Sequence, residues 1–209
     1  MPGNIEVDIM TLLPWSRLEN SALWRASRAR HDADIWRDYH AFTHPMRMYG
    51  YARTLFDLSY DPHLDRAILA HDVIQSGPDP VGASADWLDE RLGCPDPVAR
   101  EMIEQTRAHR PGPDNRIILL DLADFLHPEQ RRASTVAILR EGQHQHPLPD
   151  TLRASAAYLE GLQARLHDGM MDAPAGDRPY LRQICSEIRV TIDETLSRLE
   201  TLPSSLPGF

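Results

Sequence analysis

A chain of 209 residues with 42% apolar and 25% charged side chains can bury a sizeable core, which excludes a disordered chain and fits one domain with appended helices. Its net charge of −9 excludes a general nucleic-acid surface, which would need a basic stripe to displace counterions, but leaves room for a small anionic substrate. Every basic residue is Arg and none is Lys, so lysine Schiff-base chemistry and a P-loop lysine are also excluded.

Cys94 and Cys185 lie far apart without CxxC spacing, and the expectation is two free thiols in a reducing compartment. Met1 to Met10 carries Glu6 and Asp8 and no basic stretch ahead of an apolar core, and no apolar run reaches membrane-spanning length. A cytoplasmic protein with no membrane partner is expected.

In chain order the sequence reads as helices separated by Pro- and Gly-bearing turns. Leu12 to about Arg30 places Leu18, Ala22, Leu23 and Ala26 at helical spacing. After Ile35-Trp36-Arg37-Asp38-Tyr39-His40 a second helix is expected from about Phe42 to Leu58, with Pro45 in its first turn. His40 then lies at or before the helix start, so a shared face with His44 does not follow. Asp61-Pro62 opens a third helix, an acidic cap followed by proline at the first position, which ends before Ser76-Gly77-Pro78 and holds His71-Asp72 in its last turns. Ser84 to Leu92 is a shorter helix closed by Gly93. Asp96-Pro97 opens the next, which runs to His109 and is stopped by Arg110-Pro111-Gly112-Pro113.

The apolar run Asn115 to Leu126 fits a buried helix in which Asp121 and Asp124 share a face. Helices from Pro128 to about Arg140, Asp150 to about Leu166 and Tyr180 to about Leu202 follow, with a linker at Gly169 to Pro179 and a loosely held tail from Pro203 to Phe209. No repeat, low-complexity tract or strand pattern is evident, so the fold class is all-α. The last long helix could pair with another subunit, which makes a homo-oligomer an open expectation.

Chemistry concentrates at His71-Asp72. An imidazole nitrogen and a carboxylate oxygen are two unlike donors at one point. With His44 before them and Asp124 after them they make a mixed N2O2 set, suited to a divalent ion with open positions. Asp121 is a rival to Asp124 for the last place. His109 ends a helix, where a histidine can simply complement the terminus. Arg37 could fork onto a phosphate or pair with Asp34 or Asp38. Tyr39 and His40 fit a pocket wall or a partner that orients a ligand. Trp36 and Trp87 are read as core, and His144 and His146 as loop residues.

His44, His71-Asp72 and Asp124 together resemble the H…HD…D pattern of HD-domain metal-dependent phosphohydrolases. The resemblance extends to a bacterial branch of predicted HD phosphohydrolases. That branch has an R-x-Y-H-x-x-x-H segment, here Arg37 to His44, and an I-x-x-T-x-x-H segment, here Ile103, Thr106 and His109. It also has a Ser-Ala pair, here Ser84-Ala85, and an Asp-bearing apolar helix, here Leu119 to Leu126. Arg140-Glu141 is a further landmark.

The resemblance implies a single HD-type helical bundle over residues 1–209, with a motif-bearing core at about 36–126 and additional C-terminal helices at about 128–202. It implies one divalent metal ion (Mn, Fe, Co, Ni, Zn or Mg) on His44, His71, Asp72 and Asp124, the last favoured because it follows Ala. It further implies Asp72 and His109 as catalytic groups, and Arg37, Tyr39, His40 and Thr106 around a small phosphorylated substrate.

Two departures stand out. The branch carries an acidic Asn-Glu pair before its Ser-Ala, where this chain has Asp79-Pro80-Val81-Gly82-Ala83, and related nucleotidases place a Glu where this chain has Gln75. The branch reads D-A-D-L where the two acids here are three apart. The expected activity is hydrolysis of a phosphoester of a nucleotide or another small phosphorylated metabolite by a metal-activated water. The alternatives are a metal- or nucleotide-binding scaffold without turnover and an HD-fold di-iron oxygenase.

Overall fold

The structure is a computed structural model that describes residues 22–202. The described residues form nine α-helices and one 3-10 turn, with no strand among them, as the sequence predicts. The start of the expected first helix, from Leu12, and the tail from Pro203 to Phe209 lie outside the described residues. Among the described residues no helix is long and apolar enough to cross a membrane, and Cys94 and Cys185 are unpaired.

The chain divides into two compact units. The first comprises the described residues up to His109 together with Asn115–Ala123. It holds α1 (Ala22–Asp32), α2 (Thr43–Thr54), α3 (Pro62–Ala70), α4 (Pro80–Leu92), α5 (Pro97–Ala108) and α6 (Arg116–Asp121). The second comprises Arg110–Asp114 and the described residues from Asp124 onward, with α7 (Pro128–Gln143), α8 (Leu148–Gly169) and α9 (Arg178–Glu200).

The first unit is built around α3, which packs against α1, α2, α4, α5 and α6. Leu64, Ala67, Ile68, Leu69 and Ala70 are all fully buried, as expected of a helix surrounded by others rather than lying on a surface. Burying each of its large side chains stabilises the unit by roughly 1.5–3 kcal/mol.

Three helices share one start signal. Asp61 accepts from the amides of His63 and Leu64, Asp79 from that of Gly82 and Asp96 from that of Ala99, each followed by proline in the first turn. The fourth helix therefore begins at Pro80 rather than at the expected Ser84. It ends at Gly93, whose φ of +70° is the left-handed turn that favours glycine.

The second helix ends at Thr54, short of the expected Leu58, and two further differences in boundary matter for the site. Helix α3 ends at Ala70, with His71 as its cap, so Asp72 stands beyond the helix in the turn that follows. The apolar run after Asn115 is not one helix: α6 stops at Asp121, Leu122 leaves helical geometry, and a 3-10 turn covers Ala123–Leu126.

In the second unit α8 packs along α9 and α7 against α8. Leu152, Leu159, Leu162 and Leu166 form the buried stripe of α8, and Leu181, Ile184, Ile188 and Ile192 that of α9, the spacing of amphipathic helices. Buried Arg131 of α7 reaches Glu194 at 2.7 Å, Glu187 at 3.2 Å and the Thr191 hydroxyl at 2.9 Å on α9.

Candidate metal centre

The buried end of α3 delivers His71 into the interior of the first unit. Its Nδ1 lies 3.0 Å from the Ile68 carbonyl; a carbonyl only accepts, so Nδ1 carries the proton and Nε2 is the coordinating nitrogen of the neutral ring. That Nε2 is buried without a hydrogen bond and looks onto two carboxylates, Asp72 Oδ2 at 3.1 Å and Asp121 Oδ1 at 3.9 Å.

His44, in the first turn of α2, brings its Nε2 to 2.9 Å from Asp121 Oδ1 and 3.7 Å from Asp72 Oδ2. One donor atom each of His44, His71, Asp72 and Asp121 lies within 4.8 Å of the others. His44 and His71 are buried, while the Asp72 and Asp121 side chains keep 16% and 11% of their exposure, so the cluster opens on its carboxylate side.

Two carboxylates and two imidazoles this close do not sit together without something positive between them. Burial lowers the proton affinity of His71, but the charges of Asp72 and Asp121 outweigh it and carry its pKa up to about 9. Burial would raise both carboxyls. Instead, the positive imidazoles of His71 and His40 hold Asp72 far below the usual carboxylate range, and contacts with His109 and His44 do the same for Asp121. The same field would favour a divalent cation among these donors. The donor set, two imidazoles and two carboxylates, and the His71 Nε2 turned toward those carboxylates without a hydrogen bond both fit such an ion.

Of the expected ligands, His44, His71 and Asp72 come together, and Asp124 does not join them. The helix that was to put Asp121 and Asp124 on one face ends at Asp121. The chain then carries Asp124 into the second unit, where its Oδ2 accepts from the Ser134 hydroxyl. The acid that completes the cluster is Asp121, the rival.

His109 donates no contact to open space. Its Nε2 holds Asp121 Oδ2 at 2.7 Å, and its Nδ1 is buried without a partner. It does this from a left-handed backbone, φ +49°, which is uncommon for a residue with a side chain and tends to mark sites where geometry is imposed. His40 stands at the rim, 27% exposed, with Nε2 3.9 Å from Asp72 Oδ2. Tyr39 packs its ring against His40 and His44, at 4.9 and 4.8 Å between centroids.

Two expected substrate contacts are turned to other uses. Thr106 is buried and donates to the Ile103 carbonyl at 2.8 Å within its own helix. The Arg37 side chain is wholly buried and paired with Asp34, and its fork is spent on the backbone of Asp72 and Val73.

Neither residue at the departures supplies the missing carboxylate. Asp79 is exposed, caps α4 and pairs with Arg107 at 2.6 Å. Gln75 donates to Asp72 Oδ1 at 2.8 Å. Arg47, outside the motif residues, also stands at the site: its guanidinium lies over the Tyr39 ring and comes to 3.5 Å from His44 Nδ1, and its place three residues after His44 on one helix is the signal in the sequence.

No family model, curated protein or solved structure matches this chain. What stands is a helical protein with a His/Asp group that could hold a metal ion, and the HD resemblance rests on the motif residues alone.

Proposed function

We propose that the chain is an HD-type metal-dependent phosphohydrolase, acting on a phosphoester of a nucleotide or another small phosphorylated metabolite. The observation that carries this reading is the buried Nε2 of His71, without a hydrogen bond and facing the carboxylates of Asp72 and Asp121 beside His44. A divalent ion on these four side chains would supply Lewis-acid chemistry, acidifying a water and neutralising charge on a phosphoryl oxygen.

The chain's own groups divide the remaining work. His109 grips Asp121 Oδ2 and leaves Oδ1 toward the shared point. Gln75 does the same for Asp72 through Oδ1, leaving Oδ2. His40, part-exposed beside Asp72, is the group this reading assigns to protonating the leaving oxygen at its Nε2. Tyr39 forms wall beside it.

The test is phosphate release from a panel of nucleotides and small phosphoesters with added manganese, cobalt, nickel or magnesium, beside the Asp72→Ala protein. Metal-dependent release by wild type and none by Asp72→Ala is expected; normal turnover by Asp72→Ala would sink the assignment. One observation favours a second reading, a binding scaffold without turnover: Gln75 is neutral and Asp79 is engaged elsewhere, so neither offers a further carboxylate to orient water. Nucleotide binding with no product released would select it.

A further inference from the structure

The turn that carries Asp72 has few ordinary means of holding its shape. Helix α3 has ended at Ala70 and α4 does not begin until Pro80, so the carbonyls of Asp72 and Val73 have no helical partner, and buried carbonyls need a donor. One side chain from the α1–α2 connection supplies both. Arg37 NH1 donates to the Asp72 carbonyl at 2.9 Å and NH2 to the Val73 carbonyl at 3.1 Å.

The guanidinium is itself fixed: its NH2 also donates to Asp34 Oδ2, an oxygen that Arg30 holds from the other side at 3.0 Å. The next residue is secured separately. The Ser84 hydroxyl accepts from the Ile74 amide at 3.0 Å and donates to the Ile74 carbonyl at 3.3 Å.

Resting on the metal-centre reading above, we propose that Arg37 is a positioning residue for Asp72, one that never touches the ion or the substrate. Two parallel bonds from a planar fork to consecutive carbonyls fix the peptide plane between them, and with it the direction in which the Asp72 side chain leaves the backbone. That direction brings Oδ2 to 3.1 Å from His71 Nε2. A lysine would keep the charge but has no planar fork to span both carbonyls and Asp34. Ser84 makes a useful contrast, because it braces the same turn two residues further on without touching the Asp72 peptide.

The experiment is calorimetric titration of Mn2+ into wild type, Arg37→Lys, Arg37→Gln and Ser84→Ala. It is run at a temperature where circular dichroism shows each protein fully folded, with thermal midpoints measured in parallel. Both Arg37 variants should bind Mn2+ about 10–100-fold more weakly, the usual cost of removing a residue that orients a ligand. Ser84→Ala should lower the midpoint but keep its affinity within about twofold.

An Arg37→Gln protein that is folded and binds Mn2+ as wild type does would overturn the inference. So would a Ser84→Ala protein that loses affinity equally, since any loosening of the turn would then suffice. Should Arg37→Gln not fold, Arg37→Lys decides by the same criterion. Wild type that binds no Mn2+ would overturn the metal-centre reading, and this inference with it.

Discussion

Two buried charge clusters, one in each unit, are built differently. In the second, Arg131 enters the interior with its partners: Glu187, Glu194 and Thr191 meet it on one helix, and the acids keep 26% and 49% of their exposure. In the first, His44, His71, Asp72 and Asp121 crowd around one point, with the His71 Nε2 and, behind Asp121, the His109 Nδ1 left without hydrogen bonds. A buried polar group without a partner costs about 1–3 kcal/mol. Arg131 Nε also faces the Glu187 carboxylate without a hydrogen bond, so the units differ in how many such groups meet at one point, and a concentration of that cost is expected where function opposes stability.

The contrast sharpens at Asp65, a buried acid elsewhere in the first unit. Among the described residues its carboxylate accepts from the hydroxyls of Tyr49, at 2.6 Å, and Tyr60, at 3.3 Å. Burial raises its pKa to about 7, although the two hydroxyls pull the other way. The folded state therefore binds a proton at Asp65 that the unfolded state has released, so the contribution of this group to stability is greatest at low pH and falls as pH rises from about 4 to about 7. Asp65→Asn removes the charge and keeps an acceptor for Tyr49. Above pH 7 it should be more stable than wild type by up to roughly 4 kcal/mol, with the difference vanishing near pH 4. Urea unfolding at both pH values checks this, and a pH-independent difference would refute it.

Arg131→Met tests the other half. Its removal leaves acids that water can still reach, so the loss should be smaller than for a fully buried pair, roughly 1–3 kcal/mol. Metal affinity should stay within about twofold of wild type, because no ligand is touched. Denaturant unfolding and metal titration on the same sample would expose any larger coupling.

Much of this organisation was legible in the sequence, and the losses have physical causes. The all-helical architecture followed from spacing and breakers, and Asp-Pro marked the starts of α3 and α5. The same pair at Asp79-Pro80 marks the start of α4, four residues ahead of the expected Ser84. His44, His71 and Asp72 were readable because neutral imidazole and carboxylate are a sensible donor set in any fold.

Asp121 could not be told from Asp124, since residues three apart share a face only while the helix lasts. This helix stops at Asp121 with neither Gly nor Pro to announce it. Leu120, Leu122 and Ala123 are all buried on either side of the break, so packing rather than local propensity sets the boundary. Arg37 was ambiguous for a different reason. A planar guanidinium suits two phosphate oxygens and two backbone carbonyls equally well, and only burial separates the two uses.

The central proposal is that four side chains of the first unit, Asp121 among them and Asp124 not, could hold one cation. Titrating Mn2+ or Ni2+ into wild type, Asp121→Asn and Asp124→Asn tests it most directly. Wild type should bind about one ion per chain. Asp121→Asn should lose more than about a hundredfold in affinity, beyond what orienting residues cost, and Asp124→Asn should stay within about twofold. Undiminished binding by Asp121→Asn, or loss confined to Asp124→Asn, would contradict the account.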